Sequence, residues 1–385
     1  MKVKSKFGPK YQEFEIGNIV YLAKDKPLKL QNGSNISNFP ISYQTYGKPN
    51  KDKSNAILIC HALTGDQYCA SKNPVTKKDG WWEFMIGKGK AIDTDKYFII
   101  CSNIIGSCMG SWNPKSIDPE TDKPYSMNFP IITIYDMVEA QNLLLQHFQI
   151  EELHAVIGGS VGGMQALCWS ILYPQKVKNV IPIASSYRHS PQNIAFHEVG
   201  RQAIMADPNW QSGQYLNKQT YPAKGLAVAR MTAHITYMSE NALHDKFGRN
   251  LQDKDILSFS FDKDFEIESY LHHKGFSFVD RFDANSYLYI TKAVDYFDLE
   301  SDFNGKLANA FTNFAKNNKN GKFCLISFSD DWLFPPSEMK KITKALIACD
   351  IEVSSIVIDS SSGHDSFLIE NESLKNTISG ILATS

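Results

Sequence analysis

A single serine stands out in the stretch HAVIGGSVGGMQALCWSILYPQKV, residues 154–177, where glycine pairs flank Ser160 on both sides. Residues 158–162 match the pattern G-x-S-x-G, with an apolar run before it and helical spacing after it. In such a turn, small neighbours let a buried strand and a helix approach each other, and the serine projects from the carboxyl edge of a sheet. The pattern predicts a nucleophilic serine. The alternative is a glycine-rich turn that only packs closely or binds phosphate.

A serine nucleophile needs a base, and the base needs a carboxylate that orients it. In chains with this turn the order is serine, then acid, then histidine. SFSDDWLFPP supplies Asp330 and Asp331, and SSSGHDSFL supplies His364; each segment follows an apolar run. His364 is therefore the predicted base. The local sequence does not decide between the two aspartates, since each could cap the following turn.

Two backbone N–H groups are predicted to stabilise negative charge on a substrate oxygen. Val161 follows the serine at the start of a helix, where an N–H is free to bind an anion. Leu63 lies in the segment CHALTGDQ, residues 60–67, which follows an early apolar run and occupies the place of the second donor. His61 precedes the serine in the chain, so we expect it to have a structural role.

The elements that must position these residues are short apolar runs separated by helical segments. Continuous apolar runs without alternation are typical of strands buried on both faces of a mostly parallel sheet. These runs cover residues 55–62, 97–103, 153–159, 178–185, 322–329 and 352–359. Between them, Met137, Ala140 and Leu144 have helical spacing, and Asp136 favours the start of that helix. The fold class is predicted to be α/β.

No short apolar runs of the strand type occur between about residues 190 and 310, where helix formers and aromatic residues prevail. The simplest organisation is an α/β core interrupted by a helical insertion. We predict a first core segment at residues 1–189, a helical lid at 190–310 and a second core segment at 311–385.

Composition favours small-molecule chemistry. The 385-residue chain has 40 Lys and Arg against 41 Asp and Glu, so no excess charge attracts nucleic acid or an anionic membrane. No stretch resembles a secretory signal or a membrane-spanning helix, which predicts a cytoplasmic protein. The seven cysteines include no C-x-x-C pair, which argues against a disulfide framework and a structural zinc site.

Longer motifs give the chain a specific resemblance. It resembles the homoserine O-acetyltransferase family, acyltransferases of the α/β-hydrolase fold, from about residue 13 to the C-terminus. The segments that carry the resemblance are SYQTYGKPN, ILICHALTGD, VIGGSVGGMQAL, NIAFHEVGRQAI, GLAVARMTAHITYMSE, SDDWLFPP and GHDSFL. The resemblance implies an α/β-hydrolase core with an inserted helical lid.

The resemblance also assigns roles to residues that match the family's motifs. It implies Ser160 as nucleophile, His364 as base, Asp331 as its carboxylate, and Leu63 and Val161 as the backbone donors. Three further residues would hold the acceptor amino acid: Arg230 and Tyr237 its carboxylate, and Asp365 its ammonium group. An arginine suits a carboxylate because its two N–H groups bind both oxygens.

The implied reaction is ping-pong transfer of an acetyl group from acetyl-CoA, a cosubstrate, to the hydroxyl of L-homoserine, on the route to methionine. It needs no metal and no cofactor. The family further implies a homodimer formed through the lid helices.

One segment departs from the family pattern. Trp112-Asn113-Pro114 is bulkier than expected, and loops at this sheet edge line the site, so we expect this loop to affect the choice of donor or acceptor. The alternatives are therefore succinyl-CoA as donor, L-serine as acceptor, or an esterase in which water replaces the acceptor. A silent binding protein would lack one of the three catalytic residue types, and this chain has all three.

Overall fold

The computed structural model describes residues 2–5 and 12–384. Its main sheet has eight strands, which we number in chain order: β1 Asn18–Leu22, β2 Phe39–Tyr46, β3 Ala56–Cys60, β4 Phe98–Ser102, β5 Leu153–Gly159, β6 Val177–Ile183, β7 Lys322–Phe328 and β8 Glu352–Ile358. Four two-stranded ribbons accompany it: Lys2–Ser5 with Gln12–Glu15, Leu28–Lys29 with Asn35–Ile36, Ile86–Gly87 with Ile92–Asp93, and Ile117–Asp118 with Lys123–Pro124.

The strand order across the sheet is β8-β7-β6-β5-β3-β4-β2-β1. Six neighbouring strands are parallel to one another, namely β8, β7, β6, β5, β3 and β4. Strand β2 runs antiparallel to both of its neighbours, β4 and β1. The predicted, mostly parallel sheet is confirmed. Because parallel strands end at the same edge, the loops after β3, β5, β7 and β8 meet there.

Ten helices of eight or more residues lie in the described chain: α1 Ile134–His147, α2 Val161–Leu172, α3 Pro191–Ala206, α4 Ala223–Tyr237, α5 Glu240–Phe247, α6 Glu266–Val279, α7 Ala284–Asp295, α8 Leu307–Asn317, α9 Pro336–Ala348 and α10 Glu372–Ala383. Shorter helical turns are Ser126–Asn128, Pro174–Lys176, Pro208–Gly213, Tyr215–Lys218, Leu299–Asp302 and Gly363–Leu368. Helix α1 begins with a capping box, in which Thr133 and Asp136 bond each other's backbone N–H.

The central strands are buried on both faces, as the continuous apolar runs predict. Leu58 of β3 and Val156 of β5 face the layer that contains α1, α2, α8 and α9. Their neighbours Ile57 and Ile157 face the opposite layer, which contains α10. This alternation follows from the two-residue period of a strand. The sheet is thereby held rigid between two apolar layers.

Helices α3 to α8 lie between β6 and β7, and α3 to α7 with the first part of α8 lie in the region of the predicted insertion. Helices α3, α4 and α6 pack side by side over the carboxyl edge of the sheet. Helix α8 crosses the predicted boundary at residue 310, and its Phe311 and Phe314 pack against Phe323 of β7. We call helices α3 to α7 the lid. Within the described chain, no helix combines the length and apolar character that crossing a membrane requires.

Candidate active site

Ser160 occupies the sharp turn between β5 and α2. Its backbone has φ 58° and ψ −122°, a conformation that an L-residue adopts only under strain. The turn is tight enough that a Cβ on Gly158 would lie 2.3 Å from the carbonyl oxygen of Gly162. A Cβ on Gly162 would lie 2.0 Å from the carbonyl oxygen of Cys60. The glycines are therefore needed for close packing, and the strained serine is held by the sheet and the helix.

The structure brings Ser160, His364 and Asp331 together in one line of contacts. The Oγ of Ser160 lies 2.8 Å from Nε2 of His364, and Nδ1 of His364 lies 2.8 Å from Oδ2 of Asp331. All three side chains are buried, with only 7% of Ser160 exposed. The distances allow a proton to pass from the serine to the imidazole, because both are ordinary hydrogen-bond lengths.

The choice between the two aspartates, which the local sequence leaves open, is resolved by geometry. Besides facing His364, Asp331 accepts hydrogen bonds at Oδ1 from the backbone N–H groups of Leu333 and Phe334, at 3.0 and 2.9 Å. Asp330 does not face the histidine, and its Oδ2 is buried without a hydrogen-bond partner. The carboxylate aligned with His364 is that of Asp331.

The electrostatics around His364 favour its protonated form. Burial opposes protonation, but the nearby carboxylates of Asp331 and Asp365 outweigh it and raise the pKa of His364 above its ordinary value. A base must be neutral to accept a proton, so activity that depends on this base falls as the pH drops through that raised pKa. The same attraction stabilises the imidazolium that forms during proton transfer.

The two predicted oxyanion donors lie beside Ser160. Val161 begins α2, so its N–H belongs to the first turn, where no intrahelical acceptor exists. Leu63 lines the same cavities as Ser160. His61 has the structural role that its position predicts: its Nε2 accepts a hydrogen bond of 3.1 Å from the N–H of Ile104. Burial lowers the pKa of His61 to about 4, so it stays neutral and fixes the Leu63 loop.

A cavity of about 740 Å³ leads from Ser160 and His364 towards the surface between the core and the lid. Arg230, Tyr237 and Asp365, to which the family resemblance assigns acceptor binding, all line it. The guanidinium of Arg230 lies 5.3 Å from the ring centroid of Tyr237. Within the described chain Arg230 and Asp365 form no salt bridge with each other or with another residue, so both charges are available to a ligand.

Arg281 is a cavity residue that sequence reasoning missed. It donates a hydrogen bond of 2.9 Å to the backbone carbonyl of Thr64. Arg230 donates a hydrogen bond of 3.1 Å to the side-chain Oγ1 of the same threonine. The two guanidiniums lie 4.7 and 5.0 Å from the ring centroid of Phe278. Burial, and next the charge of Arg230, lower the pKa of Arg281 to about 10. Arg281 begins RFDANSYLYITKAVDYFDL, another segment that resembles the family, but no role was assigned to it there.

A second, small cavity of about 40 Å³ also opens at Ser160. Its lining is largely apolar and aromatic, with Val161 and Leu333 from the core and Phe196 and Tyr287 from the lid. A single water needs about 10–15 Å³ of such volume, so this space suits a group of about three heavy atoms.

Two histidines that line this small cavity, His189 and His197, belong to a buried ion cluster that the sequence did not reveal. Asp295 of α7 lies 3.1 Å from Nδ1 of His189, 2.8 Å from Nδ1 of His197 and 2.6 Å from Nη1 of Arg201. The two histidine nitrogens and the carboxylate of Asp295 are close enough together to bind a metal ion. However, the histidines are already hydrogen-bonded to this carboxylate, and the guanidinium of Arg201 pairs with it as well. The cluster ties α3 to α7 and includes His189, which lies just before α3.

The prediction that the loop containing Trp112-Asn113-Pro114 lines the active site is wrong. Trp112 is buried, and its ring packs 4.2 Å from that of Phe129 and 5.7 Å from that of Tyr125, between centroids. The side chain of Asn113 donates to the carbonyl of Ser111 within its own loop. Neither cavity at Ser160 is lined by this loop. Its bulk fills the core, so it gives no reason to expect a different donor or acceptor.

The parallel sheet, the strained serine turn and the aligned histidine and aspartate define an enzyme of the serine-dependent α/β-hydrolase class. A family model described as alpha/beta hydrolase fold matches residues 55–370. A homoserine O-acetyltransferase of Mesorhizobium japonicum is 56% identical over 366 residues, which cover 95% of this chain and 93% of that protein. The chain belongs to the homoserine O-acetyltransferase family of the α/β-hydrolase fold.

Solved structures agree on the fold and differ in activity. A crystal structure of homoserine O-acetyltransferase from Bacillus anthracis has a TM-score of 0.85 at 27% identity, covering 95% of this chain and 96% of that chain. Esterase E22 has a TM-score of 0.84, also at 27% identity, covering 95% and 99%. The same architecture therefore occurs in proteins named for acyl transfer and for ester hydrolysis.

Proposed function

We propose that this protein transfers an acetyl group from acetyl-CoA to the hydroxyl of L-homoserine through an acyl-Ser160 intermediate. The observation that carries the proposal is the pairing of two features in one cavity: the aligned Ser160, His364 and Asp331, and the unpaired charges of Arg230 and Asp365. An amino acid carries one positive and one negative group, so these two residues provide a matching pair of partners.

In the first half-reaction, the Oγ of Ser160 attacks the thioester carbonyl while Nε2 of His364 takes its proton. The carbonyl oxygen becomes negative and accepts hydrogen bonds from the N–H groups of Leu63 and Val161. The C–S bond then breaks, and the CoA thiolate leaves with the proton from His364. The products are CoA and the acetyl ester of Ser160.

In the second half-reaction, the acceptor's hydroxyl gives its proton to His364 and attacks the acetyl ester. Arg230, with Tyr237, holds the acceptor's carboxylate, and Asp365 holds its ammonium group. The ester bond to Ser160 breaks, and His364 returns the proton to the serine. The chemistry uses only these side chains and the two substrates, so we propose that no metal or cofactor takes part.

The small cavity supports acetyl over succinyl as the transferred group. It lies at Ser160 and has about 40 Å³, enough for the methyl of an acetyl group. Succinyl extends four heavy atoms further and ends in a carboxylate, for which this largely apolar lining supplies no free positive partner. Arg201 lies behind the cavity, but it is already paired with Asp295.

The direct test pairs acetyl-CoA or succinyl-CoA with L-homoserine, L-serine or water alone, and follows CoA release with a thiol reagent. We expect rapid release only with acetyl-CoA and L-homoserine, and mass spectrometry should identify O-acetyl-L-homoserine. Equal release without an acceptor would identify an esterase. Faster release with succinyl-CoA or L-serine would identify one of the other acyltransferases.

We predict that Arg230→Ala leaves acylation of Ser160 nearly intact but slows transfer to L-homoserine by about a hundredfold, because the acceptor's carboxylate loses its charged partner. Arg230→Lys should rescue only part of the loss, since an ammonium cannot bind both carboxylate oxygens as a guanidinium does. The measurement is the burst of CoA with acetyl-CoA alone, followed by deacylation on adding L-homoserine.

Arg249→Ala removes an exposed arginine outside the cavity and serves as the control, with both half-reactions unchanged. Loss of the burst in Arg230→Ala, with normal transfer once acylated, would show that this arginine serves the CoA donor.

We also propose a homodimer formed through the lid helices, located in the cytoplasm. Several apolar side chains of α3, α4 and α6 are exposed, and Val228 and Ile235 lie two turns apart on one face of α4. Such exposed apolar residues on adjacent helices support an interface. All seven cysteines are free thiols, which suits a reducing compartment.

Val228→Glu, which places a charge on this face of the lid, should convert a dimer to a monomer in analytical ultracentrifugation, because an unpaired charge in an apolar interface is costly. Ile347→Glu is the matched control: it introduces the same charge at an exposed isoleucine of α9, away from the lid. A wild-type monomer, or a dimer that survives Val228→Glu, would contradict this interface.

A further inference from the structure

The outer part of the large cavity carries two lysines that the proposed mechanism does not use. Lys78 lies in the loop that follows Leu63, and Lys274 lies on α6 of the lid; both line the cavity. Within the described residues neither ammonium group forms a salt bridge. Burial, and next the positive charge of Lys78, lower the pKa of Lys274. Two like charges thus act on each other across the opening, and the carboxylate of Asp365 offsets them only in part.

A buried imidazole stands beside them with an unsatisfied atom. His234 lies on α4, one turn from Arg230, and lines the same cavity with only 6% of its surface exposed. Its Nδ1 is buried and has no hydrogen-bond partner. Burial, with the charges of Arg230 and Lys274, lowers the pKa of His234 to about 2, so the ring is neutral. A buried polar atom without a partner is costly, so a group that bonded this ring would be favoured.

The carboxylates that line the cavity do not neutralise this region. The carboxylate of Asp66 already accepts hydrogen bonds from the N–H of Tyr68 and from the side chain of Asn73. Asp365 lies at the inner end, next to His364. Asp79 and Asp280 are exposed to water, as Lys78 is, so salt screens the charges of all three, whereas Lys274 is partly buried. The outer cavity therefore offers positive charge and an imidazole to a ligand that carries negative charge.

We propose that Lys78, Lys274 and His234 bind the phosphate groups of the CoA thioester. This inference rests on the proposed function and assigns the donor's anionic end to the outer cavity, while Arg230 and Asp365 hold the acceptor at the inner end. Phosphate oxygens accept several hydrogen bonds at once, from ammonium groups and from the N–H of a neutral imidazole. Binding would place an anion between the two lysine charges.

The test compares donors that share the acetyl thioester and differ in phosphate. Lys78→Gln and Lys274→Gln should each raise the KM for acetyl-CoA about tenfold with little change in kcat, because a charge-assisted contact far from the reacting atoms is lost. With S-acetylpantetheine, which has no such phosphate groups, the same variants should match the wild type. Lys246→Gln removes a nearby exposed lysine outside the cavity lining and should change neither KM.

Two further measurements identify which phosphate is bound and test the part that His234 plays. Acetyl-dephospho-CoA keeps the diphosphate and lacks the 3′-phosphate, so continued sensitivity to the lysine variants identifies the diphosphate as the ligand, and lost sensitivity identifies the 3′-phosphate. His234→Leu should raise the KM for acetyl-CoA and not for S-acetylpantetheine. Its melting temperature should not fall, because the variant removes an unsatisfied buried polar atom.

The proposal is overturned if the lysine variants affect acetyl-CoA and S-acetylpantetheine equally, or if they raise the KM for L-homoserine instead. Failure of the proposed function would look different: the wild-type protein would then release no CoA from acetyl-CoA and L-homoserine, before any variant is compared.

Discussion

Ser160→Ala should abolish CoA release, with a loss of about a millionfold in kcat, the size found when the serine of a comparable triad is removed. The fold should survive, because the variant removes only the hydrogen bond between the Oγ of Ser160 and His364, and alanine bears the same backbone strain at φ 58° as serine does. Mass spectrometry after mixing with acetyl-CoA should detect an added acetyl group on the wild type alone.

The control is Ser337→Ala, which removes an exposed hydroxyl at the start of α9 and should leave the burst unchanged. An acetyl group that maps to another residue of the wild type would remove Ser160 from the role of nucleophile, and a variant that acylates normally would do the same.

Much of the core could be predicted because its signals are local. A strand buried on both faces needs a continuous apolar run, and a serine turn needs glycines where a Cβ would collide with a carbonyl, as at Gly162. The ends of parallel strands then share one edge, which brings the loops that contain Ser160, Asp331 and His364 together. Chain order and strand pattern therefore predicted the neighbourhood of these residues before any distance was known.

The lid residues could not be predicted in the same way, because lid helices acquire their orientation from tertiary packing. His234, Lys274 and Arg281 reach the cavity only because α4 and α6 lie across the sheet edge. No periodicity in the sequence fixes that placement. Arg230, which also lies on α4, was identified only through the family resemblance. The error at Trp112 has a related cause: the position of a loop beside the sheet edge does not determine whether its side chains point to the cavity or to the core.

A one-residue choice, such as that between Asp330 and Asp331, depends on the direction of a side chain in a turn, and this pair provides a matched test. Asp331→Asn should reduce turnover by about ten-thousandfold, the size found in a serine-protease triad, whereas Asp330→Asn should have little effect. Both variants replace a carboxylate by an amide of nearly the same shape in adjacent positions, so a general disturbance of this loop would affect them alike.

The reason for the difference lies in what each oxygen contacts. In Asp331→Asn the amide oxygen can keep the hydrogen bonds from Leu333 and Phe334, which leaves the NH₂ group facing Nδ1 of His364. That donor forces the other tautomer, with the proton on Nε2, so the histidine can no longer accept the proton of Ser160.

The variant also loses the attraction that raises the pKa of His364, so the acid limb of any residual activity should move to lower pH. A pH profile of kcat/KM for both variants measures these effects together. If Asp330→Asn is the inactive variant, or if the acid limb of Asp331→Asn stays where the wild type has it, then Asp331 does not orient this histidine.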